Sequence, residues 1–410
     1  MRLVLVVPRF PRLSETFIVN KFVGLVDAGW DVHIVCGQAV PEDWQRSAAL
    51  AGRPDLRRRV HEQWRHEPRW VVVLLWLSVF VATLFRAPRV TINYLRALWP
   101  RFGLKTAGLF YLDAAIIALK PDILHYEFGA LAVGKEYLKD ALDCRLGASF
   151  RGYDLNYAGL EDPDHYAGLW AAVDTVHVLG RALWVQALRR GCPPGKPHAL
   201  IPPAIDAGFF RPRQGEEDGA AAEVGRPLRI LSVGRLEWVK GYEYALRAAQ
   251  ILKERAIPFE YRIVGDGRYL EPLAFARYEM GLEDQVAFLG GRPHAAVLEE
   301  MLWADVYLQP SVSEGFCNAV VEAQAMQLPV VASDAGGLPE NVEDGRTGFI
   351  VPRRDPVALA DKLAVLATDA DLRRRMGAAG RTRVENCFSL PRQIAAFDRF
   401  YREMADHHAH

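Results

Sequence analysis

Two short strings in this chain carry side chains suited to polar chemistry. SVSEGFCNAVVEA (311–323) places one carboxylate at Glu314 and a second at Glu322. VGRLEWVKG (233–241) places cations at Arg235 and Lys240. Two fixed cations can neutralise a diphosphate and take up the charge that builds as it departs. Glu322 falls in a helical row with Ala319 and Met326, an expensive place for a free charge unless something polar pairs with it. Spacing alone leaves blander readings open. A Glu in a first helical turn also complements the helix dipole, and loop cations are commonly just solvated.

The surrounding sequence predicts how these residues are positioned. Residues 306–351 read as strand (306–309), loop, helix (about 318–327), strand (329–333), loop, short helix and strand (348–351). The strands are short and β-branched and the helices periodic, so the unit is α/β with a parallel sheet. Such sheets bind ligands beyond the carboxyl ends of their strands, where the loop Ser311–Cys317 lies. Asn318 can cap the following helix, and Gly336 and Gly337 open another whose free N–H groups can hold a phosphate. Upstream, a strand ends at Val233, and an eight-residue loop spans Arg235 and Lys240 before a helix starts near Tyr242. Gly265 and Gly267 lack the third glycine of a dinucleotide fingerprint and predict a tight turn approaching the ligand. Gly290 sits in a further loop after the strand at 286.

The strings VGRLEWVKG, SEGF, LPVVAS, GGLPE and GRTGFIV, taken with Glu322, closely resemble the donor-site signature of the family 4 retaining glycosyltransferases. That resemblance implies the GT-B fold, an α/β architecture of two facing Rossmann-like domains with parallel sheets and a cleft between them. A nucleotide-diphosphate sugar would bind there. Glu314 would then touch the donor sugar hydroxyls and Glu322 the ribose. The backbone of Gly315 and Phe316 would face sugar and diphosphate, Arg235 and Lys240 would hold the diphosphate, and the Gly290 loop would contact the base. The resemblance further implies a front-face reaction, in which the acceptor attacks on the side from which the diphosphate leaves and no protein nucleophile or metal is needed.

The first half of the chain departs more from that pattern. FPRLSETFI (10–18) resembles a subgroup that builds bacterial polysaccharides, although many relatives carry a Gly-Gly turn where Ser14, Glu15 and Thr16 stand. Ser14 is also the natural N-cap of a helix that Gly29 ends, and an ordinary capped helix explains the same string. In PDILHYEFG (121–129) and RLGASFRGYDLNY (145–157) the family commonly has HxHF and HGxD. His125 and Asp154 are kept, but Glu127 and Arg151 replace histidines. On this reading Arg151 binds a phosphate or acidic acceptor and Glu127 accepts a proton from an acceptor hydroxyl. A satisfied, half-buried structural histidine is the alternative for His125.

The expected division is an acceptor-side domain at 1–212, a polar linker at 213–227, a nucleotide-sugar domain at 228–385, and a C-terminal helix and tail at 386–410 returning to the first domain. Lysine plus arginine and aspartate plus glutamate number 50 each, giving no global reason to expect a nucleic-acid partner. The five cysteines are scattered and odd in number, which argues against a disulfide framework, and Cys317 reads as a small buried residue. MRLVLVVP is too short an apolar run for a signal peptide, so a cytoplasmic protein is expected, either free or peripheral on the inner face of the membrane. Asp162–Pro163–Asp164 matches a metal motif of a different glycosyltransferase fold, but its Pro- and Asp-rich setting predicts a turn. No metal or other cofactor is expected.

Residues 52–89 form an insertion. Arginines at 53, 57, 58, 59, 65 and 69 precede an uncharged run from Trp70 to Phe85, closed by Arg86 and Arg89. As a helix the run is about 24 Å long, short of the roughly 30 Å hydrocarbon core. Two readings stay open, a helix lying against anionic lipid and a buried helix of the first domain. The function expected is transfer of a sugar, with retention, from a nucleotide-diphosphate sugar to a saccharide or lipid-linked acceptor in polysaccharide or glycolipid biosynthesis. The alternatives are a non-catalytic subunit of a polysaccharide-synthesis complex and a nucleotide-sugar epimerase on the same fold.

Overall fold

The computed structural model describes residues 1–12, 15–63, 69–212 and 226–406. They form two compact units, each built on a wholly parallel sheet.

The first unit comprises Met1–Leu179, Leu183–Ile201 and the chain from Pro391 onward. Its strands are β1 (Arg2–Phe10), β2 (Asp31–Ala39), β3 (Val60–Glu62), β4 (Ile123–Tyr126), β5 (Arg145–Phe150), β6 (Thr175–Val178) and β7 (His198–Leu200), in the order β3-β2-β1-β4-β5-β6-β7. The chain steps outward from β1 in one direction and then resumes on its other side at β4. Loops on either side of such a reversal leave a crevice at the strand ends. Helix Leu390–Asp406 completes this unit's core with Phe397, Phe400, Tyr401 and Met404, all buried with Leu3, Leu5, Phe22 and Trp30. Its apolar positions recur three and four apart, which puts them on one face.

The second unit comprises Gly180–Ala182 and Pro202–Leu390. Its strands are β8 (Leu228–Val233), β9 (Phe259–Val264), β10 (Val286–Phe288), β11 (Val306–Gln309), β12 (Val330–Ser333) and β13 (Gly348–Val351), in the order β10-β9-β8-β11-β12-β13. The reversal lies between β8 and β11. The central strands β11 and β12 are buried along their whole length, as strands covered on both faces are.

The unit boundaries fall elsewhere than the expected ones. The first unit ends at Ile201 because the residues after it pack with the second: Ile205 pairs with Ser389, and Phe210 is buried among Val264, Val320 and Phe388. Most of the expected linker, 213–225, lies outside the described residues.

Candidate functional site

In the second unit the two strings found in the sequence meet at the sheet reversal. The loop after β8 holds a short helical turn, Trp238–Lys240, and Gly241 in a left-handed conformation (φ +66°). A β-carbon on Gly241 would stand 2.3 Å from the Pro310 carbonyl, so only glycine admits the loop after β11 this closely. Val312 N–H donates to the Val239 carbonyl at 2.9 Å and locks the two loops together.

That contact places Lys240 Nζ 2.7 Å from Glu314 Oε2, with both side chains only 13% exposed. Ser311 Oγ–H donates to the same carboxylate oxygen at 3.2 Å, and Gln309 Nε2 supports Ser311 at 2.7 Å. Burial pulls the Lys240 ammonium toward deprotonation, but Glu314 more than offsets it, and its pKa lies above the ordinary lysine value. Arg235, at the other end of the loop, is exposed, and no carboxylate among the described residues pairs with it. Lys240 and Glu314 offset each other, and the exposed Arg235 guanidinium offers charge-assisted donors that suit an anion.

Glycines set the remaining loops. Gly336 is left-handed (φ +52°), and a β-carbon there would fall 1.9 Å from the Glu314 carbonyl. Gly337 N–H is not free for phosphate as expected: it donates to the Glu314 carbonyl at 3.1 Å. The helix it precedes, Leu338–Asn341, is a single turn. Gly265 and Gly267 likewise make room for backbone, because their β-carbons would meet the carbonyls of Gly234 and Leu236. Gly290 extends this packing through its carbonyl, which accepts from Gly265 N–H at 2.9 Å. Gly315 and Phe316 follow Glu314 in the same loop, and the Phe316 ring packs edge-on against Phe388.

Asn318 is not the cap expected of it. It is the first residue of helix Asn318–Ala325, Cys317 occupies the cap position, and no side chain of that pair caps the helix. Asn341 Oδ1 instead accepts from Cys317 N–H at 3.1 Å, a partner 24 residues away. Glu322, a turn into this helix, is 13% exposed, and His294 Nε2 lies 3.7 Å from it, on a ring whose pKa burial lowers. Burial alone raises the Glu322 pKa to about 7. A carboxyl so placed has unmet capacity for hydrogen-bond donors.

In the first unit residues expected on the acceptor side also gather at a reversal, between β1 and β4. Glu127 is fully buried, its carboxylate 2.6 Å from Lys21 Nζ and 3.1 Å from Arg151 Nη2. Burial raises its pKa, but the two cations lower it further, so the group is held ionised below the usual carboxylate range. Glu127 is therefore a poor proton acceptor, contrary to its expected role. Arg151 spends its guanidinium on Glu127 and on the Phe17 ring, 3.9 Å away. Asp154 uses both oxygens on backbone N–H groups, of Ala130 at 3.0 Å and of Arg151 at 2.9 Å, and so serves the loop. Glu15 occupies the cap position of helix Thr16–Asp27 and pairs with Arg12 at 2.9 Å. Thr16 is that helix's first residue, and Ser14 lies outside the described residues.

His125 does not face an acceptor. It is fully buried, and its Nε2 lies 2.7 Å from Ser149 Oγ, which lies 2.7 Å from His177 Nδ1. His177 Nε2 is 2.9 Å from the Ile201 carbonyl, which can only accept, so the proton positions follow along the chain. His177 donates to Ile201, Ser149 to His177, and His125 to Ser149. His125 Nδ1 is left bare, and indeed has no partner. Burial holds both histidines well below their ordinary pKa, hence neutral. This is interior structure.

Lys21 was missed in the sequence. The available signal was a lysine in the apolar row Ile18, Phe22, Leu25, where a charge needs a partner. Asp162 and Asp164 lie in an exposed turn, Asp164 N–H donating to Asp162 Oδ1 at 3.0 Å.

The glycosyl transferases group 1 profile matches residues 214–383. An amylovoran biosynthesis glycosyltransferase of Erwinia amylovora is 30% identical over 431 aligned residues, covering 99% of this chain and 98% of that protein. The chain belongs to this glycosyltransferase family. Solved structures agree on the fold. The Anabaena protein HepE, solved in complex with UDP, superposes with a TM-score of 0.73 at 16% identity, covering 98% of this chain and 99% of that one. Sucrose-phosphate synthase from Thermosynechococcus elongatus gives 0.70 at 20% identity, again covering 98% and 99%. The architecture is GT-B, with two Rossmann-like domains on parallel sheets.

Proposed function

We propose that this glycosyltransferase moves a sugar, with retention and without a metal, from a nucleotide-diphosphate sugar to a hydroxyl of a saccharide or lipid-linked acceptor in polysaccharide biosynthesis. The observation that carries the donor half is the joining of Lys240 and Glu314 at the β8/β11 reversal, with exposed Arg235 at the far end of the same loop. The acceptor oxygen forms the new bond to the anomeric carbon as the bond to the diphosphate breaks. The diphosphate leaves with the electron pair, and the hydroxyl proton follows to its oxygen. Arg235 and Lys240 take up the leaving charge, Glu314 orients sugar hydroxyls, and Glu322 receives ribose hydroxyls. The polysaccharide setting rests on the Erwinia relative, which is named for amylovoran biosynthesis and aligns along the whole chain.

The test is thermal stabilisation of the purified protein by UDP-, GDP- and ADP-sugars, each with and without EDTA, with Lys240→Ala as the control. A ligand that binds only the folded protein raises Tm by mass action. One donor is expected to raise Tm equally with and without EDTA, and to lose the effect in Lys240→Ala. A folded wild type indifferent to every donor overturns the reading, and a shift abolished by EDTA overturns its metal-free part.

A further inference from the structure

The insertion between β3 and β4 resolves the choice left open by the sequence by being two-faced. Helix Arg69–Arg86 turns Leu75, Trp76, Val79 and Phe80 toward helix Lys105–Leu119, where Val79 packs with Tyr111 and Ala114, and Trp76 Nε1–H donates to the Ala107 carbonyl at 2.9 Å. The opposite face is apolar and open. Val73, Leu74, Leu77 and Phe85 are 73%, 70%, 64% and 84% exposed, and Trp70 and Val81 continue the row. The exposed positions from Trp70 to Phe85 hold no charge, and Ser78, the polar residue among them, turns its hydroxyl to the Leu75 carbonyl. Helix Pro88–Phe102 adds exposed Ile92 and Trp99, and Leu104 follows it, 84% exposed. A soluble surface has no reason to keep so continuous an apolar row.

Charge identifies what covers it. From Arg69 to Leu112 the chain has no Asp or Glu but has cations at 69, 86, 89, 96, 101 and 105, although the whole chain is neutral. Arg86, Arg89, Arg96, Arg101 and Lys105 are exposed. The earlier basic stretch contributes less, because Arg53 pairs with Asp27 and Asp55, and Arg59 with Asp31. Among the described residues no helix is long and apolar enough to cross a membrane, and this one has a side committed to its own domain.

We infer that the open face of Arg69–Arg86, with the basic rim of Pro88–Lys105, seats the protein on an anionic lipid bilayer, lying in the interface without spanning it. Apolar side chains enter the acyl boundary while the arginines meet the headgroups. This surface is independent of the donor reading, since none of its residues belongs to the second unit.

The full chain is sedimented with vesicles of phosphatidylcholine alone and of phosphatidylcholine mixed with phosphatidylglycerol, at low and high salt. Binding to the mixed vesicles, weakened by salt, is expected. Both Leu74→Asp/Leu77→Asp and Arg96→Glu/Arg101→Glu are expected to weaken it at least about tenfold. All these side chains are exposed, so both variants are expected to keep the wild-type Tm and the donor-induced Tm shift. A wild type that ignores both vesicle types overturns the inference. So does binding that survives both double substitutions, or a dimer in sedimentation equilibrium that Leu74→Asp/Leu77→Asp dissociates.

Discussion

Glu322 is a carboxyl stationed where its charge is costly and its hydrogen-bonding capacity unfilled. Its pKa is about 7 when folded against 4.5 ordinarily, so between those values the folded state holds a proton that the unfolded state has lost. Stability from this group is thus full below about pH 4.5 and falls as pH rises to about 7, by roughly 3 kcal/mol. Glu322→Gln removes that slope. Denaturant titrations at pH 5 and pH 8 are expected to show the variant gaining on wild type at pH 8, while its donor-induced Tm shift shrinks. Ribose hydroxyls donating to Glu322 favour its charged form, so donor binding near pH 7 is expected to release a proton. Calorimetry in buffers of different ionisation enthalpy reads that release, and Glu322→Gln should abolish it. Glu314, Lys240 and Glu322 were legible as candidates because each sits in a string with a local pattern. Lys21 showed locally only as a charge in an apolar row, and its partner Glu127, 106 residues away, could not be read from any local pattern.

At the scale of elements, close approaches decide which loops can coexist. The left-handed Gly336 holds its loop against the Glu314 carbonyl, so Gly336→Ala is expected to cost about 1–3 kcal/mol and to weaken donor binding along with stability. In the first unit Gly147 pairs in register with His125, and a β-carbon there would stand 2.6 Å from His125 Nδ1 and 2.9 Å from Met404 Cε. Gly147→Ala is expected to cost a similar ~1–3 kcal/mol in chemical denaturation without altering donor binding. Lys21→Met leaves Glu127 buried with one cation instead of two and should cost about 3–5 kcal/mol, with Lys21→Met/Glu127→Gln recovering much of it. The strands and helices were themselves readable from periodicity: 306–309 and 348–351 fall where expected. Orientation across strands was not. The burial of His125 depends on Ser149, His177 and the C-terminal helix, three elements whose register no local string encodes.

For the whole molecule, the division of the chain is the telling feature. The first unit draws its core from both ends of the sequence, with Phe397, Phe400, Tyr401 and Met404 closing over residues from the first half. The expected boundary at 212 missed the segment Pro202–Phe210, because a polar, Gly/Ala-rich stretch marks a linker by composition whereas membership is set by packing. A chain ending at Leu390 is expected to lose the unfolding transition of the first unit and keep that of the second, which scanning calorimetry with and without the preferred nucleotide can separate. The same feature also bears on birth at the ribosome. Synthesis proceeds from the amino end, and domains ordinarily fold in that order as they emerge. Here the β1–β7 sheet is made first but must wait, with its Lys21 and His125 face uncovered, until residues 397–404 have been made. The second unit, complete by Leu390, can fold first. A nascent chain of this protein therefore exposes its first sheet to chaperones until helix Leu390–Asp406 has emerged, and slow elongation through the second unit lengthens that exposure.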